Sequence, residues 1–460
     1  MACSASTCQS TCYSDQPDQQ HSTSTASTNK TNRNIISNGL CLKCKTNPPI
    51  SAAAADSQFC ADCFRANLFG KFRFAVTSNA MISPSDNVLV AFSGGPSSRV
   101  ALEFVHEMHS KAQKNFDACR DRSLPVFGVG VAFVDETSVY SAPSDEEDRA
   151  VQDIASIVEK LAPPPKQLHV VPIENVFYSS ECGDEGERLK KLLDAVTDPT
   201  GKEDLLLHLR MLALQKIASE NGYNRLLLGS CISRIACHVL TATVKGQGYS
   251  LPADIQYVDS RWEIPVLLPL RDCLAHELNM LCRLDGLETV ELIRNPGTGI
   301  NGLVSSFVSL LQEENPSREC TIVRTAGKLI PFHFNRIQET DDSNVPLATR
   351  RRQKRYNLKP NECFSSESFC FICNGPLSKS DLLSLRTLEQ CQTSPDALSA
   401  ACCSSCRFQI LPQDPLLLDQ FSSVLPQQLV SRAKHDNYDS YSVLREQIQD
   451  CLLSEGEDEM

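Results

Sequence analysis

The run Val88-Leu89-Val90-Ala91-Phe92-Ser93-Gly94-Gly95-Pro96-Ser97-Ser98 constrains this chain more than any other stretch. Its apolar half reads as a buried strand, and Ser-Gly-Gly as a tight turn. Ala101, Phe104, Val105 and Met108 then recur at i, i+3, i+4 and i+7, which predicts a helix. A strand, a glycine turn and a helix N-terminus in that order suit an anion. Glycines let the backbone approach closely, and the first N–H groups of the helix point at the ligand. An ordinary strand-to-helix turn has the same outline, so these residues alone leave both readings open.

The following segments repeat the alternation. Val126–Val134 reads as a buried strand ending at Asp135, and Thr137–Glu147 as a polar linker. A helix runs through Ile154 and Leu161 until Pro163-Pro164-Pro165, and Leu168–Ile173 gives a third strand. Asp204–Glu220 is a helix with Leu206, Leu209, Ala213 and Ile217 on one face, and Arg225–Leu228 gives a fourth strand. Strands alternating with helices imply an α/β fold with a doubly wound parallel sheet, which binds ligands at the carboxyl ends of its strands. The Ser93–Ser98 turn lies at such an end. Further helices are expected around Leu274, Leu278 and Leu281, and around Leu303, Val304, Phe307, Leu310 and Leu311.

Twenty-two cysteines are many for 460 residues. The first thirty residues are rich in Ser, Thr and Gln and lack the apolar core of a secretory signal, so paired cysteines read as metal sites rather than disulfides. Cys41-x-x-Cys44 and Cys60-x-x-Cys63, fifteen residues apart, match a tetrahedral four-thiolate site for structural zinc. Cys370-x-x-Cys373 and Cys403-x-x-Cys406 suggest a second, with Cys363, Cys391 and Cys402 as neighbours and a helix expected at Lys379–Glu389. The longest apolar run, Val126–Val134, is too short to span a bilayer, and no membrane partner is expected. A net charge of −12 argues against a chain that wraps nucleic acid by charge alone. It is compatible with a local basic patch or with a partner supplying basic surface.

The loop resembles the pyrophosphate loop of the ATP pyrophosphatases, Ser-Gly-Gly-x-Asp-Ser after a hydrophobic strand. Ser93, Gly94, Gly95 and Ser98 match, while Ser97 stands where that family has Asp. Within it, Ser-Gly-Gly-Pro-Ser-Ser resembles the second-subunit branch of the cytoplasmic tRNA 2-thiolation family. Leu267–Asp272 and Thr321–Leu329 extend the resemblance over most of residues 38–329. It implies a PP-loop fold preceded by a cysteine module. The expected role is in 2-thiolation of wobble uridine in cytosolic tRNA, beside a catalytic, adenylating first subunit. Sulfur would come from a thiocarboxylated ubiquitin-related modifier; the uridine C2 oxygen is adenylated and sulfur displaces AMP. Ser93, Gly94, Gly95, Ser97 and Ser98 would form the ATP cradle, weak in this chain or dependent on its partner.

Catalytic relatives commonly carry Gly-His-Asn-x-Asp-Asp where this chain has Gly229-Ser-Cys-Ile-Ser-Arg234. They also have a Cys-x-x-Cys near the start of the helix matching Asp204–Glu220, where this chain has Lys202-Glu203-Asp204. These losses favour a non-catalytic, tRNA-binding partner over a sulfurtransferase in its own right or an unrelated zinc-dependent adaptor. Cys231 and Cys237 read as small buried cysteines, and neither is assigned to catalysis. The one dense basic run, Arg350, Arg351, Arg352, Lys354 and Arg355, fits tRNA phosphates, a nuclear import signal or a solvated linker. The expected organisation is a disordered 1–37, a zinc module at 38–80, the PP-loop domain at 81–330, a basic linker at 331–360, a Cys-rich module at 361–450 and an acidic tail at 451–460. The expected location is the cytoplasm.

Overall fold

The computed structural model describes residues 39–50, 58–118, 125–140, 144–177, 184–290, 297, 299–315, 317–335, 368–378, 380–381, 398–399 and 401–435. The expected disordered start, the basic run and the acidic tail lie outside them, as does nearly all of Lys379–Glu389. The chain divides into two compact units, Met1–Cys60 and Ala61–Met460. The described part of the first unit is a knuckle. Cys41 N–H donates to the Asn47 carbonyl at 2.8 Å, and Lys45 N–H to the Cys41 carbonyl at 2.9 Å. Leu42 and Ile50 N–H reach back to Gln58 and Phe59.

The second unit opens with α1 (Ala61–Ser78), whose Phe69 and Phe72 rings meet Phe104 at 5.3 and 5.4 Å. It continues as β1 (Asn87–Ala91), α2 (Pro96–Ala118), β2 (Gly128–Asp135), α3 (Thr137–Tyr140), α4 (Ser144–Glu159) and β3 (Gln167–Pro172). Then come α5 (Glu185–Ala195), α6 (Pro199–Glu220), β4 (Arg225–Leu228), α7 (Ile232–Val244), α8 (Leu251–Asp254), β5 (Val258–Asp259) and β6 (Val266–Leu267). Three helices follow: α9 (Ala275–Leu284), α10 (Ile300–Glu314) and α11 (Ser317–Ala326). The last described elements are α12 (Ser404–Gln409), α13 (Pro415–Val424) and α14 (Gln427–His435).

The six strands form one sheet in the order β3-β2-β1-β4-β6-β5. Every pairing is parallel except β5 with β6. Val88, Leu89 and Val90 of β1 are fully buried, the continuous apolar run of a strand covered on both faces. Strand order reverses direction between β1 and β4, and that switch point is where ligands of such sheets lie. The core joins Leu89, Leu205, Leu209 and Leu226 with Phe371, Ile372 and Phe421 in a single cluster, so the C-terminal cysteine region packs into the core of the sheet. No helix among the described residues is long and apolar enough to cross a membrane.

Three details depart from the sequence reading, and a fourth, in a helix it expected, goes beyond it. Thr137–Glu147, read as linker, contains α3 and the start of α4, because the first turns of α4 lack the apolar stripe that reveals a helix. The helix read from Asp204 starts five residues earlier at Pro199, after the cap Asp198, whose carboxylate accepts from Gly201 N–H at 2.8 Å. Helix α5, capped by Asp184, was not anticipated. In α10 only Val308 is buried, and Leu303, Phe307 and Leu310 stand 73, 52 and 60% exposed. Periodicity reveals a stripe, not what the stripe faces.

Candidate phosphate loop and thiol clusters

β1 ends where Phe92 N–H donates to the Ala132 carbonyl at 2.8 Å, and the chain leaves the sheet at Ser93. Gly94 has φ +78°, a conformation that a side chain disfavours. Pro96 begins α2, where its missing N–H costs no helical hydrogen bond. The Ser98 hydroxyl locks the turn: it accepts from Ser93 N–H at 3.2 Å, is bonded to the Ser93 hydroxyl at 3.2 Å and donates to the Gly95 carbonyl at 2.9 Å. Gly229, just after β4, packs its bare Cα against this turn. A Cβ there would lie 2.7 Å from Ser98 Cα and 2.9 Å from the Ser97 carbonyl carbon. The two turns at the switch point therefore touch backbone to backbone, and only glycine permits it.

Ser93, Gly94 and Gly95 thus form a compact turn after a central strand, and Ser97 and Ser98 stand in the first turn of the long helix that follows. Their joint chemistry is that of a cradle with backbone N–H groups and hydroxyls but no carboxylate. Beyond Gly229, Cys231 and Cys237 flank the first turns of α7. Cys231 is buried, and burial pushes the Cys237 thiol up to about 11, away from the nucleophilic thiolate. Arg234 is exposed on the helix.

The thiols assemble twice. Cys41, Cys44, Cys60 and Cys63 bring their sulfurs within 4.8 Å of one another, and so do Cys370, Cys373, Cys403 and Cys406. Cys44 and Cys60 sulfurs are 3.8 Å apart, as are those of Cys373 and Cys403. A metal with thiolates at about 2.3 Å in a tetrahedron separates them by about 3.8 Å, so both sets fit a single four-coordinate ion. The Thr46 hydroxyl, then the Asn47 and Thr46 backbone N–H groups, bring the Cys44 thiol down to about 6. At Cys370 burial opposes the charge, but hydrogen bonds from Cys373, Cys402, Cys403 and Cys406 hold the thiol well below its ordinary value. The N-terminal group can therefore present a thiolate at neutral pH.

No protein-family model matches the chain. A curated relative from Arabidopsis thaliana, cytoplasmic tRNA 2-thiolation protein 2, is 61% identical over 466 residues, spanning 100% of both chains. The chain belongs to the cytoplasmic tRNA 2-thiolation protein 2 family. A member from Oryza sativa subsp. indica is 53% identical over 91% of this chain and 90% of its own length. A Homo sapiens member is 27% identical over 63% of this chain and 67% of its own. Among solved structures, the U34-tRNA thiolase NcsA from Methanococcus maripaludis, with its 4Fe-4S cluster, aligns with a TM-score of 0.49 and 16% identity. That alignment covers 68% of this chain and 95% of that one.

Several members of the site in this family member were invisible in its sequence. Asp204, in the region where the resemblance would place a cysteine pair, is buried and bound by Lys245 at 2.7 and 2.9 Å. Asn301 donates to the same carboxylate at 3.0 Å. At the carboxyl end of β2, Glu136 is buried and takes a two-pronged grip from the Arg210 guanidinium. Ser233 donates to buried Glu319 and accepts from Ala275 N–H at 3.1 Å, tying α7 to the helix that opens the Thr321–Leu329 stretch. These partners lie 41 to 97 residues apart, and local spacing carries no trace of them.

Proposed function

We propose that this chain acts in 2-thiolation of wobble uridine in cytosolic tRNAs. In this reading it is the tRNA-binding, non-catalytic partner of an adenylating subunit, in the cytoplasm. The observation that carries the proposal is the identity of 61% across the full length of a relative named for that process. The same name, protein 2, supports a companion subunit. Sulfur would reach the uridine from the thiocarboxylated C-terminus of a ubiquitin-related modifier, by adenylation of the C2 oxygen and displacement of AMP.

Three features support a non-catalytic share of that work. Ser97 replaces the acid of the loop, the turn after Gly229 offers Ser230, Cys231 and Ser233 in place of carboxylates, and the Asp204–Lys245 pair fills the region of the missing cysteines. Ser93, Gly94, Gly95, Ser97 and Ser98 then form a weak phosphate cradle, whose N–H groups would stabilise a leaving pyrophosphate only with help from the partner. Arg350, Arg351, Arg352, Lys354 and Arg355 supply phosphate contacts to tRNA.

Each four-thiol group holds zinc. Its sulfurs lie too close together to surround a four-iron cubane, and four protein thiolates leave no open position for substrate. The ions are structural: their binding energy is folding energy.

The deciding experiment measures 2-thiouridine in tRNA from cells lacking this protein. Loss of the modification, restored by the wild-type chain, is expected; an unchanged level rejects the reading. Reconstitution with the partner subunit separates the two shares. Magnesium-dependent AMP formation by this chain alone would make it a sulfurtransferase in its own right.

A further inference from the structure

The phosphate loop has a neighbour from its own chain. After α9 the backbone turns at Gly286, φ +60°, and runs back over α2 toward the loop. Three ties hold this run. The Asp285 carboxylate accepts from Arg65 Nε at 2.8 Å, and Arg65 also donates to Glu107 of α2 at 2.7 Å. Glu288 accepts from Lys160 Nζ at 2.6 Å. Val290, itself buried, donates its N–H to the Gly94 carbonyl at 3.0 Å. The contact is intimate: a Cβ on Gly94 would sit 2.8 Å from the Val290 carbonyl oxygen and 3.1 Å from its Cβ.

Beside the loop lies a cation with spare capacity. Arg99, one residue beyond Ser98, is only 7% exposed. Its Nη1 donates to Glu103 at 3.0 Å, while its Nε has no hydrogen-bond partner among the described residues. The Arg99 charge also acts on Glu288 of the overlying run, helping to lower that carboxyl, although Lys160 does most of it. Held on Glu103 one turn further along α2, this buried guanidinium keeps one donor unused in the helix that the loop opens, and a polyphosphate reaching it would satisfy that donor.

We infer that Asp285–Val290 is a strap that pins the Ser93–Ser98 loop at Gly94 in a conformation unsuited to polyphosphate, and that the loop takes pyrophosphate-bearing ligands tightly only when the strap lifts from Gly94. This rests on reading the loop as a phosphate cradle, and it supplies the reason why that cradle is weak in the chain alone. If the binding-competent state is a minor one, apparent affinity falls by the fraction of molecules in it. The strap sets that fraction. Arg65 lies on α1 and Lys160 just past the end of α4, both outside the cradle, so their ties can be cut without touching the residues that would hold phosphate.

The test uses the full chain and inorganic pyrophosphate with magnesium as the probe, by calorimetry, with amide hydrogen exchange as a second readout. Glu288→Ala combined with Val290→Pro removes one ion pair and the N–H that reaches Gly94. The expected result is lost protection across 285–290, retained protection in β1, and pyrophosphate binding at least about tenfold tighter than wild type. Should this variant lose β1 protection, Asp285→Asn with Lys160→Ala cuts two ties farther from the loop and is judged by the same two readouts. A strap released by exchange with no gain in affinity overturns the inference. So does a wild-type chain that binds pyrophosphate as tightly as the variants while 285–290 stays protected. Either failure leaves the thiolation reading intact, since 2-thiouridine content in cells decides that separately.

Discussion

The two thiol clusters share a ligand pattern and differ in what surrounds it. At the N-terminus, the knuckle of Cys41 and Cys44 closes on its own backbone, within a compact unit that ends at Cys60. At the C-terminus, Cys370 and Cys406 belong to the same buried cluster as the sheet. Asn374, held at φ 55° in that knuckle, donates to the Arg261 carbonyl at 3.2 Å and accepts from the Arg261 guanidinium at 3.4 Å. Arg261 is in turn clamped by Asp254 and Asp259, each at 2.6 Å. An identical Cys-x-x-Cys pair thus serves as a local clasp in one place and as a keystone of the core in the other. What a metal contributes to stability is decided by the contacts behind its ligands.

The sharpest way to break this contrast is to remove the C-terminal ligands. Cys370→Ser with Cys373→Ser should lose one metal ion per chain and lower the thermal midpoint of the sheet unit by ~10 °C or more, read by calorimetry. An unchanged midpoint would reduce the keystone to a second clasp. Next in size is the seam itself. A Cβ on Gly201, in the first turn of α6, would lie 2.0 Å from the Gln409 carbonyl oxygen at the end of α12. Gly201→Ala should therefore cost about 2 to 3 kcal/mol in denaturant unfolding, because backbone must move on one side or the other. A neutral result would mean the seam yields.

The N-terminal pair should behave in the opposite way. Cys41→Ser with Cys44→Ser should also release one ion, yet shift the midpoint of the sheet unit by no more than ~2 °C. The smallest effect is on acid release. The Cys44 thiol at about 6 is ionised above that pH, so protons compete for it only as pH falls through about 6. Cys370, against the burial that opposes its charge, is likewise held well below its ordinary value by its four sulfur neighbours. Titrating the metal-loaded protein against a chromogenic chelator should show the N-terminal ion, whose ligands lie outside the core cluster, leaving at a higher pH than the C-terminal one. It should leave below pH 6, because the metal holds its thiolates against protonation. Simultaneous release of both ions would erase the distinction.

The clusters and the loop were legible because each is written in consecutive residues: Cys-x-x-Cys is a turn, and Val-Leu-Val-Ala-Phe-Ser-Gly-Gly is a strand running into one. The alternation of strand and helix was legible for the same reason. The contacts that give these parts their character are not local. Gly229 against Ser98, Val290 against Gly94 and Gly201 against Gln409 each join residues more than a hundred positions apart, and a glycine in a sequence does not say which backbone it admits. The outward stripe of α10 was hidden for a related reason. An apolar face records that something is covered, without recording whether this chain does the covering.

The buried pair of Asp204 and Lys245 has a bearing on ancestry. A first step toward a cysteine at position 204 removes the only carboxylate within ion-pair range of Lys245 among the described residues and leaves its ammonium buried. Stranding one member of such a pair costs about 3 to 5 kcal/mol, a large part of a domain's margin. A chain carrying this pair must change both residues together, or pass through a markedly less stable form, before position 204 can take a thiol. Once fixed, such a pair resists single substitutions at either of its two positions.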